Sequence, residues 1–250
     1  MSFKYINEIA TQENINELLT FIDLVAGSPI DTNNVFDISD KLRDSTQMEE
    51  CLAYMKQDQA TSAMLAERYM GPDFDLEKLS KMPEGSLGWT YAKVMTAINY
   101  KPDFYRLRSV ESDADYVINR VRKTHDLHHI MTGFSFDDFG ENGVISVTVA
   151  QIGYPSLMLI DIISLMLYFF SGKDELGIDV EYLFDLISAG IKMGRKAKPL
   201  FPVKWEEVFE RPLEELREEL NIQPVTSGRY SWYSNPKIRE AINIKTAVSV

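Results

Sequence analysis

The segment from Gly143 to Phe170 carries one charged residue, Asp161, and is the most apolar stretch of the 250-residue chain. Such a stretch has to leave water, so the rest of the chain must enclose it or present it to lipid. Three arrangements are open for its densest part, Ile152 to Phe170: a buried core helix, a helix lining a lipid tunnel or facing a membrane surface, and a transmembrane span. Asp161 and Pro155 count against spanning, and Gly153 with Pro155 predicts a kink in the middle.

Outside that segment, apolar residues recur at three and four. Ile15, Leu18, Leu19, Phe21, Ile22 and Val25 predict a helix over 13–25 that ends near Gly27 and Pro29, and residues 26–40 read as a connection with turn chemistry. Helices follow from Ser45 through Met55, behind Asp58 through Tyr69, over 75–82, behind Ser86, over 111–130, from about Asp137 onward, and over 181–197. No convincing period-2 run occurs. The chain therefore reads as all-α, a single helical-bundle-like domain of about eight helices over 1–222 with an irregular tail over 223–250. A 45% hydrophobic, 11% aromatic composition is ample for its core. The mixed-charge segment Glu206 to Glu219 reads as a solvated helix face.

Charge and cysteine content narrow the function classes. A net charge of −12 weighs against nucleic acid as the main partner. One cysteine, Cys51, excludes a disulfide framework and any Cys-rich zinc module, so a bound metal would take nitrogen and oxygen ligands. The N-terminal residues show no basic-then-apolar leader, and the expectation is a cytoplasmic protein without a targeting peptide, or a mature chain.

All three histidines fall within His125-Asp126-Leu127-His128-His129, and Glu141 follows after eleven intervening residues. On a helix His125, Asp126 and His129 project from one face within a single turn. Gly133 separates them from Glu141, which a helix-loop-helix folding back would bring opposite the trio. Two imidazoles and two carboxylates then surround one divalent cation, a ligand set that zinc, iron and manganese all accept. The acid-and-histidine pattern occurs once, so the site is expected to be mononuclear. A solvated His–Asp ion pair is the plain alternative. His128 points elsewhere, as a residue behind the ligands or on the surface.

This spacing, His-Asp-x-x-His then Glu, resembles the signature of the Coq-four family of ubiquinone (coenzyme Q) biosynthesis proteins. Pro83-Glu84-Gly85-Ser86-Leu87-Gly88 with Tyr91-Ala92, and the run from Trp205-Glu206-Glu207 through Pro212 to Ile222, look like the same family's segments on either side. The resemblance implies an all-helical fold and a zinc-type site at His125, Asp126, His129 and Glu141. It also implies association with a membrane surface, binding of a prenylated quinone precursor or isoprenoid lipid, and other quinone-biosynthesis proteins as partners. The activity implied is oxidative decarboxylation of a prenylated hydroxybenzoate ring, or a non-catalytic scaffold with a structural metal. An all-helical His-Asp phosphohydrolase is a weaker third class, because it needs a further distant histidine.

A prenyl chain would lie along the apolar helix, against Leu157, Ile160, Ile163 and Leu167. Lys192, Arg195, Lys196, Lys198 and Lys204 form the one sizeable basic run, suited to an anionic headgroup or, more plainly, to the negative pole of a helix. A homodimer is expected, the 152–170 face serving equally as a dimer interface.

Overall fold

The computed structural model describes residues 5–100, 106–171 and 180–243, and they form one helical domain without a strand, apart from isolated bridges at Ser86–Pro212 and Phe134–Ser231. Twelve α-helices are described, numbered here in chain order: α1 Gln12–Gly27, α2 Asn33–Lys41, α3 Thr46–Met55, α4 Gln59–Glu67, α5 Leu76–Leu79, α6 Leu87–Ala97, α7 Asp113–Thr132, α8 Asp138–Ile152, α9 Pro155–Ser171, α10 Val180–Lys196, α11 Leu213–Glu219 and α12 Pro236–Ala241. Short 3-10 turns occur at Trp205–Glu207 and Trp232–Ser234.

Three differences from the sequence reading raise the number above eight. Residues read as a connection contain α2, whose Asn-rich start is ordered by the Asp31 carboxylate accepting from Asn33 N at 3.0 Å and whose Phe36 and Ile38 are buried. The expected kink is a complete break: Gly153 ends α8 in the left-handed conformation (φ +63°), and Pro155, which has no N–H to lose, begins α9. The segment expected as an irregular tail carries a 3-10 turn and α12, and buries Trp232 and Ile238 in the main core.

Helix α7 runs through the middle. From Ala114 to Thr132 every residue except His125 is buried, although many are charged or polar. Burial of charge is tolerable only with partners. Arg120 meets Glu206 with two contacts, 2.7 and 3.1 Å, and donates to Val203 O at 2.8 Å. Lys123 donates to Gly71 O at 3.1 Å and Pro72 O at 2.7 Å, and lies 3.3 Å from Glu206. Arg122 reaches Asp40 at 2.8 Å, Phe36 O at 2.9 Å and Arg106 O at 2.8 Å, while Asp115 accepts from Arg43 at 2.6 and 2.9 Å. These side chains tie α7 to α2, to Arg43 behind it, to Gly71 and Pro72, to Arg106 and to the 203–206 segment. The solvated-face reading of 206–219 fails at Glu206 and Arg217, whose side chains are 1% and 2% exposed, because α7 supplies the partners.

Helices α8 and α10 make the closest helix pair, through glycine. A Cβ at Gly190 would stand 2.2 Å from Gly143 O, and one at Gly194 2.7 Å from Val147 O. Helix α9 packs its Leu157 among Tyr116, Ile145 and Phe201, and its Ile163 among Phe21, Val25 and Ile38. No described helix is long and apolar enough to cross a membrane.

Two outcomes follow from this packing. Gly190→Ala puts a methyl group into backbone and is expected to lower unfolding stability by about 1–3 kcal/mol in urea titration. Asp161 is 7% exposed, and burial, with the Ser146 hydroxyl 2.8 Å away as a partial offset, pushes its carboxyl up to about 7. The folded state therefore holds this proton more tightly than the unfolded chain, so the acid's contribution is full below about pH 4 and is lost as pH rises through 7. Asp161→Asn should raise the melting temperature at pH 8 and lose that advantage toward pH 4.

Candidate metal centre

The C-terminal half of α7 and the first turn of α8 build the site. Gly133, at φ +83°, closes α7 and reverses the chain, and Asp137 caps α8 by accepting from Phe139 N and Gly140 N at 3.2 and 2.9 Å. A Cβ at Gly140 would lie 1.9 Å from Ser135 O, so this turn is as tight as backbone allows. It sets Glu141 against His125 and His129.

Glu141 Oε2 lies 2.8 Å from His125 Nε2, Glu141 Oε1 lies 3.1 Å from His129 Nε2, and the two Nε2 atoms are 3.3 Å apart. One donor atom from each of these residues falls within 4.8 Å of the others. The His129 ring is fixed from two sides: Nδ1 donates to Phe134 O at 3.3 Å, and Phe136 stacks on it at 4.3 Å with 23° between planes. With Nδ1 donating, Nε2 of the neutral ring keeps its lone pair. Two ring nitrogens and a carboxylate converge on one point, an arrangement that a shared cation satisfies.

The electrostatics couple the same three residues. Burial disfavours charge on His125, but the Glu141 carboxylate outweighs it and raises the imidazole above its ordinary range. Burial likewise penalises the Glu141 carboxylate, yet the two imidazoles hold it well below the usual range. Side-chain exposure is 0% at His129, 21% at His125 and 41% at Glu141, so the group opens to solvent on one side. A two-nitrogen, one-carboxylate set with an open edge fits zinc and other borderline divalent ions.

Asp126 stands beside this group rather than in it. Its Oδ1 lies 3.5 Å from the Tyr100 hydroxyl, and burial pushes its carboxyl up to about 6 against the pull of His125 and His129. His128, expected behind the ligands or on the surface, is 7% exposed, edge-on to Trp205 with 6.0 Å between ring centroids, and neither ring nitrogen has a hydrogen-bond partner among the described residues. Burial drives its basicity down to about 3.

The same motif region lies inside a match to a known protein family. A family profile described as coenzyme Q (ubiquinone) biosynthesis protein Coq4 matches residues 19–226. The chain belongs to the Coq4 family. It is similar to the mitochondrial ubiquinone biosynthesis protein COQ4 of Zygosaccharomyces rouxii, 27% identical over 222 residues that cover 87% of this chain and 65% of that protein. The mitochondrial COQ4 homolog of Rattus norvegicus is 33% identical over 175 residues, covering 68% of this chain and 63% of that protein. The chain therefore spans less than two thirds of the length of these curated Coq4 relatives. A crystal structure from Nostoc punctiforme PCC 73102, of a protein provisionally assigned to ubiquinone biosynthesis, superposes with a TM-score of 0.72 at 30% identity, over 84% of this chain and 98% of that one.

The remaining candidates are dispersed over this Coq4-type fold. Leu157 and Ile163 are buried on the inner side of α9, and Ile160 and Leu167 are partly buried against the same clusters. The outer side of α9 exposes Met158, Ile162, Phe169 and Phe170 instead. Lys192 and Arg195 are exposed on α10, and Lys192 borders a shallow surface depression with Lys196, Asn221 and Gln223. Sequence reasoning missed three groups around the histidines. Phe136 and Tyr100 have no motif spacing of their own, and Trp232 donates its indole N–H to His129 O at 2.8 Å from a hundred residues downstream.

His128→Leu should bind metal with the affinity of the parent chain and unfold at the same or higher temperature, since it removes two unpartnered buried nitrogens. Chelator competition and a thermal melt measure both.

Proposed function

We propose that the protein acts in ubiquinone biosynthesis by holding a prenylated quinone precursor with its ring carboxylate at a single divalent metal, zinc first, and that it takes part in oxidative decarboxylation of that ring. The observation that carries this reading is the convergence of His125, His129 and Glu141, with the His129 tautomer set by Phe134 O and one edge open to solvent. Asp126, next to His125 in sequence, lies beside the trio and faces the Tyr100 hydroxyl at 3.5 Å.

A metal bound there supplies Lewis acidity toward a carboxylate or ring oxygen. The chain supplies the rest. His129 is held rigidly by its Nδ1 bond and by the Phe136 stack, Glu141 bridges both imidazoles, and the Tyr100 hydroxyl sits against Asp126. Phe136 and Phe139, both half-buried, border the same turn and offer ring faces to an aromatic headgroup. In this reading the isoprenoid tail runs along α9, whose exposed Met158, Ile162, Phe169 and Phe170 also suit a membrane surface or a second copy of the chain. In this reading molecular oxygen is the two-electron oxidant and is reduced to hydrogen peroxide, the carboxyl leaves as carbon dioxide, and water supplies the hydroxyl that takes its place.

A scaffold role with a structural ion has one observation in its favour: the donors come from two helices, so an ion would staple α7 to α8. Native mass spectrometry of the protein as purified should show one metal ion per chain and a bound isoprenoid. Incubating metal-loaded protein with a prenylated hydroxybenzoate, with and without oxygen, should give oxygen-dependent product. In Glu141→Ala, loss of product with the melting temperature retained supports the enzyme, whereas a drop in stability with no product from the parent chain supports the scaffold.

A further inference from the structure

Every helix leaves its last carbonyls without intrahelical partners, and α7 ends on the turn that carries His129. In this chain those carbonyls are satisfied by residues far downstream. His129 O accepts from the Trp232 indole at 2.8 Å as well as from Gly133 N at 2.9 Å. The buried Arg217 guanidinium serves Ile130 O and, at 3.0 Å, Met131 O, and Val225 N donates to Thr132 O at 2.8 Å. All four acceptors are filled from residues 217–232.

The same segment grips the turn between the two ligand-bearing helices. Trp232 N donates to Gly133 O at 3.1 Å, Ser135 N donates to Tyr230 O at 2.8 Å, and Phe134 bridges Ser231. Phe134 matters because its carbonyl orients the His129 ring. The approach is close: a Cβ at Gly133 would lie 2.3 Å from Val225 O. Ser231 Oγ closes the segment on itself by donating to Val225 O at 2.6 Å, and Trp232, 1% exposed, stacks on Tyr233 with centroids 3.7 Å apart. The family match ends at residue 226, so Tyr230, Ser231 and Trp232 lie beyond it.

We propose that residues 225–234 form a strap whose Trp232 indole is a positioning group for the metal centre, holding the last turn of α7, and with it the His129 ring, in ligand geometry. This rests on the metal reading above. Groups that orient a ligand without touching the ion typically change metal affinity by about 10–100-fold when removed. Trp232 acts through the His129 carbonyl and the α7 end, not through the ring itself.

The test uses the full chain and zinc. Zinc affinity by chelator competition is compared for the parent chain, Trp232→Phe, and Ile238→Ala, which removes a buried side chain of α12 away from the strap bonds. Trp232→Phe is expected to weaken zinc about tenfold, while Ile238→Ala lowers the melting temperature and leaves zinc affinity unchanged. Parent-like affinity in Trp232→Phe, or equal weakening in Ile238→Ala, overturns the proposal. Histidine-ring NMR of the metal-free protein gives a second readout, the His129 Nδ1 proton exchanging with solvent faster in Trp232→Phe. If the parent chain binds no zinc, the metal reading fails, and an unchanged exchange rate then sinks the strap as well. Should Trp232→Phe not fold, Ser231→Ala, which opens the Val225 contact, is judged by the same measurements.

Discussion

The fold depends on burying a polar helix. Helix α7 carries Asp115, Asn119, Arg120, Arg122, Lys123, Asp126, His128 and His129 within the interior, which is affordable only because nearly all of its charges meet opposite charge or carbonyl oxygen on a surrounding loop. Breaking one such buried pair leaves an uncompensated charge and costs about 3–5 kcal/mol, so each pair also fixes the position of the loop it reaches. Helix α2 and the segments at 69–72, 106–111 and 203–206 are placed by α7 as much as they enclose it. Two metal-type ligands on such a helix are held in register by contacts all along its length.

That rigidity has a chemical consequence. His129 is fully buried and oriented by Phe134 O, whereas His125 and Glu141 reach solvent. One side of the donor group is therefore pre-organised and the other accessible, the division expected where an ion is held by protein on one face and can meet another ligand on the other. Glycine makes the arrangement possible. Gly140 and Gly143 let α8 press against Ser135 and Phe134, and Gly190 and Gly194 let α10 close over α8 from behind.

Much of this was legible in the residues. Asp58 and Ser86 cap helices as the sequence reads, and Ser45 and Asp137, read there only as helix starts, are caps as well, each satisfying backbone N–H groups of the helix that follows. His125, His129 and Glu141 converge because helical spacing and the Gly133 turn are local properties. Less legible were α2, hidden by its Asn-rich start, and the end of α8, where Gly153 and Pro155 stop the helix outright. The charge-rich run from Glu206 gave a pattern that a solvated face and a buried ion-pair donor share, so periodicity could not separate them.

What the chain determined by itself is its helical class, the order of its elements and the one place where metal-type donors recur at one turn's spacing. Those follow from short-range sterics, capping and hydrophobic periodicity. Tertiary structure alone decided that Asp126 turns to Tyr100, that His128 is sealed against Trp205, that Glu206 goes inside, and that Trp232 reaches His129 from the far end of the chain. Each is a contact between residues distant in sequence, and which distant groups meet is set by how the helices pack.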